Sequence, residues 1–203
     1  MMKCLLDEGR IWLMMAQRYV LSMAPGLLAA ALLYAALRPF RIRRLAARGL
    51  QSSRKRETIL LLFWMFAGGV AFLTLMPWDF WWPGVLRHGY KGTFFQLGTV
   101  DLDPLHMFDG WFNLLGNIIM FLPFGFCPAL LWRKFGWRRA LLTGLCLTGG
   151  IECWQLLVGR AFDVGDLLLN TAGVLGGFWL CGRAGCRGRL ACPTSESENI
   201  ENQ

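Results

Sequence analysis

Five polar side chains interrupt stretches of the chain that are otherwise apolar and long enough to form helices. They are Asn113 and Asn117 in one stretch, Glu152 and Gln155 in the next, and Asn170 in the last. A charged group in hydrocarbon costs about 2.5–3.5 kcal/mol on insertion scales, so an ionisable residue at such a place indicates a candidate site. Carboxylate and amide groups can hold a polar ligand by hydrogen bonds, and a carboxylate can also act as a general acid or base.

Three more polar residues lie in the short connection from Gly159 to Asp166, between the last two apolar stretches. Because this connection cannot reach far, Arg160, Asp163 and Asp166 must lie close to the helix ends. The planar guanidinium of Arg160 can pair with either aspartate, with Glu152 or with an anionic ligand. Asp163 or Asp166 can cap the first turn of the last helix.

Spacings of three or four residues place these polar side chains on shared helix faces. The pairs are Asn113 with Asn117, Glu152 with Gln155, and Asp166 with Asn170. Below the last pair, the same face continues through two small residues, which let a neighbouring backbone approach closely: Gly173 and Gly177. The polar residues could form a ligand pocket, or they could only satisfy one another and fix the helix register.

The elements that must position these residues are membrane-spanning helices. The chain of 203 residues is 55% apolar, against roughly 45–50% in a typical soluble domain. Five stretches approach the ~20 residues that cross a bilayer: Val20 to Leu37, Thr58 to Met76, Trp111 to Trp132, Ala140 to Val158 and Leu167 to Cys181. We expect an all-α helix bundle with about five spans, one membrane-embedded domain over residues 1–192, and a disordered cytoplasmic tail over residues 193–203.

The charges are distributed unequally between the loops. Eight basic residues lie between Arg38 and Arg56 without an acidic residue among them, and further basic groups occupy 133–139 and 183–189. The loops Pro77 to Gly110 and Gly159 to Asp166 together carry three basic and six acidic residues. The positive-inside rule then predicts an external N-terminus and a cytoplasmic C-terminus, with all five polar interruptions in the outer leaflet. A nucleic-acid partner is not expected, because these charges flank membrane spans.

The long external loop is rich in aromatic residues, including Phe80, Trp81 and Trp82 directly after the second span. Indole rings favour the headgroup region, so the pattern is typical of an aromatic belt, although a platform for stacking sugars is also open. The aspartates around His106 match no calcium loop, and the seven cysteines lack the spacing of a zinc pair. We therefore expect neither a metal nor a cofactor.

At these residues the chain resembles the VanZ-like family of bacterial membrane proteins. The resemblance covers roughly residues 100–178 and rests on Asn113-Leu-Leu-Gly-Asn117-Ile-Ile-Met-Phe121-Leu-Pro123-Phe-Gly125-Phe, Ile151-Glu152-Cys-Trp-Gln155, Arg160, Asp163, Asp166, Asn170-Thr171 and Gly173. It implies a multi-pass protein of the bacterial cytoplasmic (inner) membrane that is connected with the cell envelope. The founding member is associated with resistance to the glycopeptide teicoplanin, but family membership does not supply a reaction.

The preferred hypothesis is a binding or envelope-modifying factor whose pocket contacts membrane lipids and recognises an amphiphile. Arg160 would bind an anionic group, while the polar helix residues and the two aspartates complete the pocket. The ligand would be a lipid headgroup, a lipid-linked envelope precursor or a glycopeptide. An enzyme would instead use Glu152, Asp163 or Asp166 in catalysis, although no nucleophile is placed beside them. A lipid translocator would use a kink at Pro123 as a gate.

Overall fold

A computed structural model describes residues 2–77, 80–104 and 111–191, with the side chains of residues 2–16, Tyr19 and 111–113 outside the described part. Over these residues the chain forms six helices and two short strands. In chain order they are α1 (Met2–Ala46), α2 (Arg54–Leu75), α3 (Trp82–His88), β1 (Val100–Asp101), α4 (Trp111–Leu131), α5 (Trp137–Leu157), β2 (Phe162–Asp163) and α6 (Val164–Arg183). The predicted all-α architecture is confirmed.

Five helices in the described part of the chain are long and apolar enough to cross a membrane: Val20–Ala46, Arg54–Leu75, Leu114–Leu131, Trp137–Leu157 and Val164–Arg183. The predicted number of spans is therefore confirmed, but several helices extend beyond their apolar stretches. Helix α6 begins at Val164 because Asp163 caps it, its Oδ1 accepting a hydrogen bond from the Gly165 N–H at 2.6 Å. Helix α4 runs through Pro123 and Pro128 without a break.

Helices α4 and α6 pack closely through glycines. A Cβ atom added at Gly177 would overlap the carbonyl oxygen of Leu122, and one added at Gly125 would overlap that of Val174. Gly173 likewise faces the α4 backbone, where an added Cβ would lie 2.5 Å from the Ile118 carbonyl oxygen. The predicted small-residue face of the last helix is confirmed, and its neighbour is α4.

A second close helix pair brings α1 against α2. Gly26 and Gly68 face each other across this contact, and a Cβ at either position would overlap the backbone of the other. The buried core lies between this pair and the remaining helices and includes Val70, Phe121 and Val174. The bundle is therefore joined by two backbone contacts and a central apolar cluster.

The described part of the loop before α4 is bonded to the end of α5. Its Gln96 and Gly98 N–H groups donate to the carbonyl oxygens of Leu157 and Leu156 at 3.0 and 2.8 Å. Strand β1 then pairs in parallel with β2, so that Asp101 lies opposite Asp163. The last carbonyls of a helix lack partners within the helix, and here a distant loop supplies donors for α5.

The two ends of the bundle differ in chemistry. At one end, here called the arginine-rich end, Arg56 of α2 donates hydrogen bonds to the carbonyl oxygens of Leu131 and Leu190 at 2.6 and 2.5 Å. Gly188 contacts Arg133 at the same end. The opposite end, here called the pocket end, contains the loops that carry the acidic residues. Basic segments that are distant in sequence thus meet at one end, as the charge pattern requires.

The glycine contact between α4 and α6 predicts a specific loss of stability. Gly177→Ala should lower the thermal midpoint of the protein in detergent, because overpacking costs about 1–3 kcal/mol. Gly150→Ala, on α5, is the matched control, since an added Cβ there meets no atom within 4 Å. Equal midpoints for the two variants would contradict the close backbone approach.

The charge pattern predicts which end faces the outside. A membrane-impermeant thiol reagent should label Lys91→Cys in intact cells, and it should label Arg48→Cys only after the cells are opened. Both native side chains are exposed and lie in loops at opposite ends of the bundle. The unsubstituted protein measures background labelling of the native cysteines. The reverse labelling pattern would invert the proposed orientation.

Candidate functional site

A cavity of about 530 Å³ lies at the pocket end, between residues contributed by all five spanning helices. Its walls contain an unusual concentration of polar side chains for a membrane bundle. These are Arg18, Ser22, Thr74, Asn117, Glu152, Gln155, Arg160, Asp166 and Asn170. The apolar part of the wall includes Phe72, Phe80, Trp81, Met120 and Phe121.

Glu152 lies in the wall of this cavity and is only 1% exposed. Its Oε2 atom accepts a hydrogen bond from the backbone N–H of Asp163 at 3.0 Å. Asp163 in turn caps α6 through its side chain. The glutamate therefore ties the last turns of α5 to the start of α6, and it places a carboxylate beside the cavity.

Asn117 and Asp166 link α4 to α6 inside the cavity. The Nδ2 atom of Asn117 donates to Oδ1 of Asp166 at 2.5 Å. One turn further along α6, Asn170 is 4% exposed, and its Oδ1 atom is buried with no hydrogen-bond partner among the described residues. A buried acceptor without a donor is costly, so the Asn170 carbonyl is a ready acceptor for a ligand donor group.

Side chains near the end of α5 also donate hydrogen bonds to the last backbone carbonyl groups of α2. Gln155 Nε2 donates to the Thr74 carbonyl at 3.1 Å, and Trp154 Nε1 donates to that of Leu75 at 2.7 Å. Arg160 Nη1 donates to the Thr74 carbonyl at 3.3 Å. These are C-terminal carbonyls that α2 cannot satisfy itself. Gln155 and Arg160 thus hold α2 in position while they face the cavity.

The structure brings together six of the eight residues singled out from the sequence. Asn117, Glu152, Gln155, Arg160, Asp166 and Asn170 all line the cavity. Asp163 does not line it, because its side chain turns back to cap α6. The side chain of Asn113 lies outside the described residues, as do His106 and Asp109.

Sequence reasoning missed Arg18, which lies two residues before the predicted first span. Helix α1 extends beyond that span and brings Arg18 to the cavity, where its guanidinium carbon lies 5.2 Å from the centre of the Trp81 ring. Such a contact is a cation–π interaction. A lone arginine just outside an apolar stretch was the signal available in the sequence.

Six aromatic residues of the pocket end form a connected series. Successive ring centroids lie 5.2–6.4 Å apart from Phe72 through Phe80, Tyr90, Phe94 and Phe95 to Trp154. This series connects the end of α2 to the end of α5 across the loop. These ring contacts pack the loop against the bundle beside the cavity. Trp78 lies outside the described residues.

Within the described part of the chain, no group of three or more His, Cys, Asp or Glu residues is arranged to hold a metal ion. The chemistry that these cavity residues offer is hydrogen bonding, ion pairing and proton transfer at Glu152 or Asp166.

The five apolar helices and the polar cavity at one end define a multi-pass helical membrane protein. A family model described as VanZ/LLP1 matches residues 28–184, which is well over half of the chain, and the chain belongs to this family. The match runs from α1 through α6, and Arg18 lies before it. No curated protein and no solved structure matches the chain.

The bond between Glu152 and the Asp163 N–H predicts different effects for two substitutions. Glu152→Ala should destabilise the protein by about 1–3 kcal/mol, because it removes the acceptor from a partly buried N–H group. Glu152→Gln retains an acceptor and should cost clearly less. Thermal unfolding of both purified variants in the same detergent checks this. Similar losses for both would mean that this hydrogen bond does not hold the loop.

Proposed function

We propose that the cavity binds the polar, anionic head of an amphiphile at the outer surface of the bacterial cytoplasmic membrane. One observation carries the proposal: six polar residues chosen from the sequence line a single cavity of about 530 Å³, although they come from three different helices and a loop. Mutual satisfaction alone does not account for all of them. Asn170 keeps a buried acceptor without a donor among the described residues.

In this proposal two arginines of the cavity wall bind the anionic group, beside the carboxylates of Glu152 and Asp166. Arg18 is exposed and rests on Trp81, while Arg160 is held at the end of α2. A guanidinium group binds phosphate or carboxylate oxygens with paired hydrogen bonds. In this proposal Arg18 and Arg160 hold the anionic group, and Asn117, Gln155 and Asn170 bind neighbouring polar groups.

The apolar side of the cavity supports an amphiphile rather than a free anion. Phe72, Met120 and Phe121 line it together with the polar residues. Such a wall can receive the first part of a lipid chain while the head stays among the arginines. The ligand class includes lipid headgroups, lipid-linked envelope precursors and lipoglycopeptides such as teicoplanin. A contribution to resistance against teicoplanin-type glycopeptides would follow from binding of the last kind.

An enzyme is the second candidate, and a specific observation favours it. Glu152 and Asp166, both carboxylates, line the same cavity, so one of them could serve as a general base on a lipid-borne group. Asp163 is a weaker candidate because it caps α6. The two proposals share the ligand and differ only in whether a bond is broken.

Arg18→Gln should weaken binding of an anionic amphiphile by at least about tenfold, since a charge-assisted hydrogen bond contributes roughly 1.5–3 kcal/mol. The measurement is equilibrium binding of radiolabelled undecaprenyl diphosphate to purified protein in phosphatidylcholine nanodiscs, repeated with teicoplanin as competitor. Arg87→Gln is the matched control, because Arg87 is exposed in α3 and does not line the cavity. Equal binding by the wild type and both variants would overturn the assignment of the cavity.

The same preparation separates binding from catalysis. Product formation from the labelled diphosphate by the wild type, lost in Glu152→Gln while binding is retained, would establish the enzyme. Binding without product by the wild type would support the binding factor. Unfolding of Glu152→Gln is detected by its thermal midpoint, so a structural failure is not read as a catalytic one.

A further inference from the structure

A second cavity lies at the arginine-rich end and is separate from the site described above. It is a groove of about 970 Å³ between the last turns of α1, the first turns of α2, and α4. The apolar part of its wall includes Tyr34, Leu60, Phe63, Trp64, Phe124 and Trp132. This groove opens on the side of the bundle, where Phe40 and Trp64 are 63% and 38% exposed.

The rim of the groove is strongly basic. Arg38, Arg41, Arg44 and Arg56 all line it. The carboxylate that compensates them is Glu57, whose Oε2 accepts hydrogen bonds from Arg41 and from Arg38, the latter at 3.3 Å. The hydroxyl group of Tyr34 also donates a hydrogen bond to the Glu57 carboxylate at 2.8 Å. The Glu57 side chain is only 10% exposed. Among the described residues, two of the four guanidinium groups on this rim, those of Arg38 and Arg41, pair with the Glu57 carboxylate.

Arg56 shows that the positive charge is built into the wall. It is 7% exposed, and its guanidinium group donates to two carbonyl oxygens, those of Leu131 and Leu190. It forms no ion pair within the described residues, and its Nε atom is buried there without a partner. A guanidinium group held away from water without a counter-charge raises the local potential and favours an anion nearby.

We propose that this groove binds an anionic phospholipid, with the phosphate among Arg38, Arg41 and Arg44 and an acyl chain along the aromatic wall. Basic pockets between transmembrane helices are known to bind acidic lipid headgroups. The aromatic and aliphatic wall distinguishes a lipid from free phosphate, because a phosphate ion would contact only the rim. The lipid would fasten α1 to α2 and α4 at the end where Arg56 already joins three segments.

The test measures selectivity for lipid headgroups. The full chain is reconstituted in phosphatidylcholine bilayers, and electron paramagnetic resonance gives the fraction of spin-labelled phosphatidylglycerol held at the protein, relative to spin-labelled phosphatidylcholine. The wild type should prefer phosphatidylglycerol several-fold. Arg44→Gln should reduce that preference by about threefold to fivefold, the effect of one basic residue near a charged lipid surface.

Arg43→Gln is the matched control. Both arginines are exposed and lie in the last turn of α1, but only Arg44 lines the groove. The control should change the preference by less than about 1.5-fold if the groove holds the lipid. If both substitutions reduced the preference for phosphatidylglycerol equally, the lipid would be attracted to the basic surface in general. This result would overturn the proposed lipid site.

Two other results would also overturn it. The wild type could show no preference for phosphatidylglycerol. Alternatively, 10 mM inorganic phosphate could remove the preference, which would identify the rim as a site for the free anion. The Arg44→Gln comparison separates this groove from the cavity at the pocket end, because Arg44 lines only the groove.

Discussion

The close approach of α4 and α6 is the contact on which the cavity depends. Gly125, Gly173 and Gly177 leave the two backbones close together, without side chains between them. This approach sets Asn117 beside Asp166 and brings Asn170 to the same wall. In a bilayer, where lipid chains are as apolar as leucine, packing of small residues is a main source of helix association. A larger side chain at these glycines would separate the two halves of the polar wall.

A second constraint is that the last carbonyl groups of each helix have no partner within the helix and need one elsewhere. The end of α2 is satisfied by Trp154, Gln155 and Arg160, and the end of α5 by the loop that contains Gln96 and Gly98. Side chains of the cavity therefore serve the fold as well as the site. The hydrogen bonds that these side chains make to the helix ends lower the free-energy cost that isolated polar residues would carry in hydrocarbon.

Much of the fold follows from the sequence because its signals are strong. Five apolar stretches of spanning length and a regular stripe of glycines predict both the number of spans and the face on which the last helix packs. The cavity was predictable from Asn117, Glu152 and Asn170, since each interrupts an apolar helix and the loop charges predict the same leaflet for all three. The orientation in the membrane stays a prediction from the loop charges.

Other features depend on contacts between distant segments. Strands β1 and β2 are two residues each, too short for an alternating pattern, and they form because the loop lies against the end of α5. Arg18 reaches the cavity only because α1 continues beyond its apolar stretch. Glu57 follows a run of basic residues in the sequence, but it accepts hydrogen bonds from Tyr34 and Arg41 of the neighbouring helix.

The loop that crosses the pocket end is held by different kinds of contact along its described length. From Gln96 to Asp101 it is bonded to the end of α5 and to the segment between α5 and α6, and Gly98 lies so close to Arg160 that an added Cβ would overlap the backbone. The stretch from Gly89 to Gly92 is largely exposed by comparison. An insertion at the exposed Gly89 should therefore disturb the pocket end less than an insertion after Gln96, which would shift the strand register and move Arg160 with it.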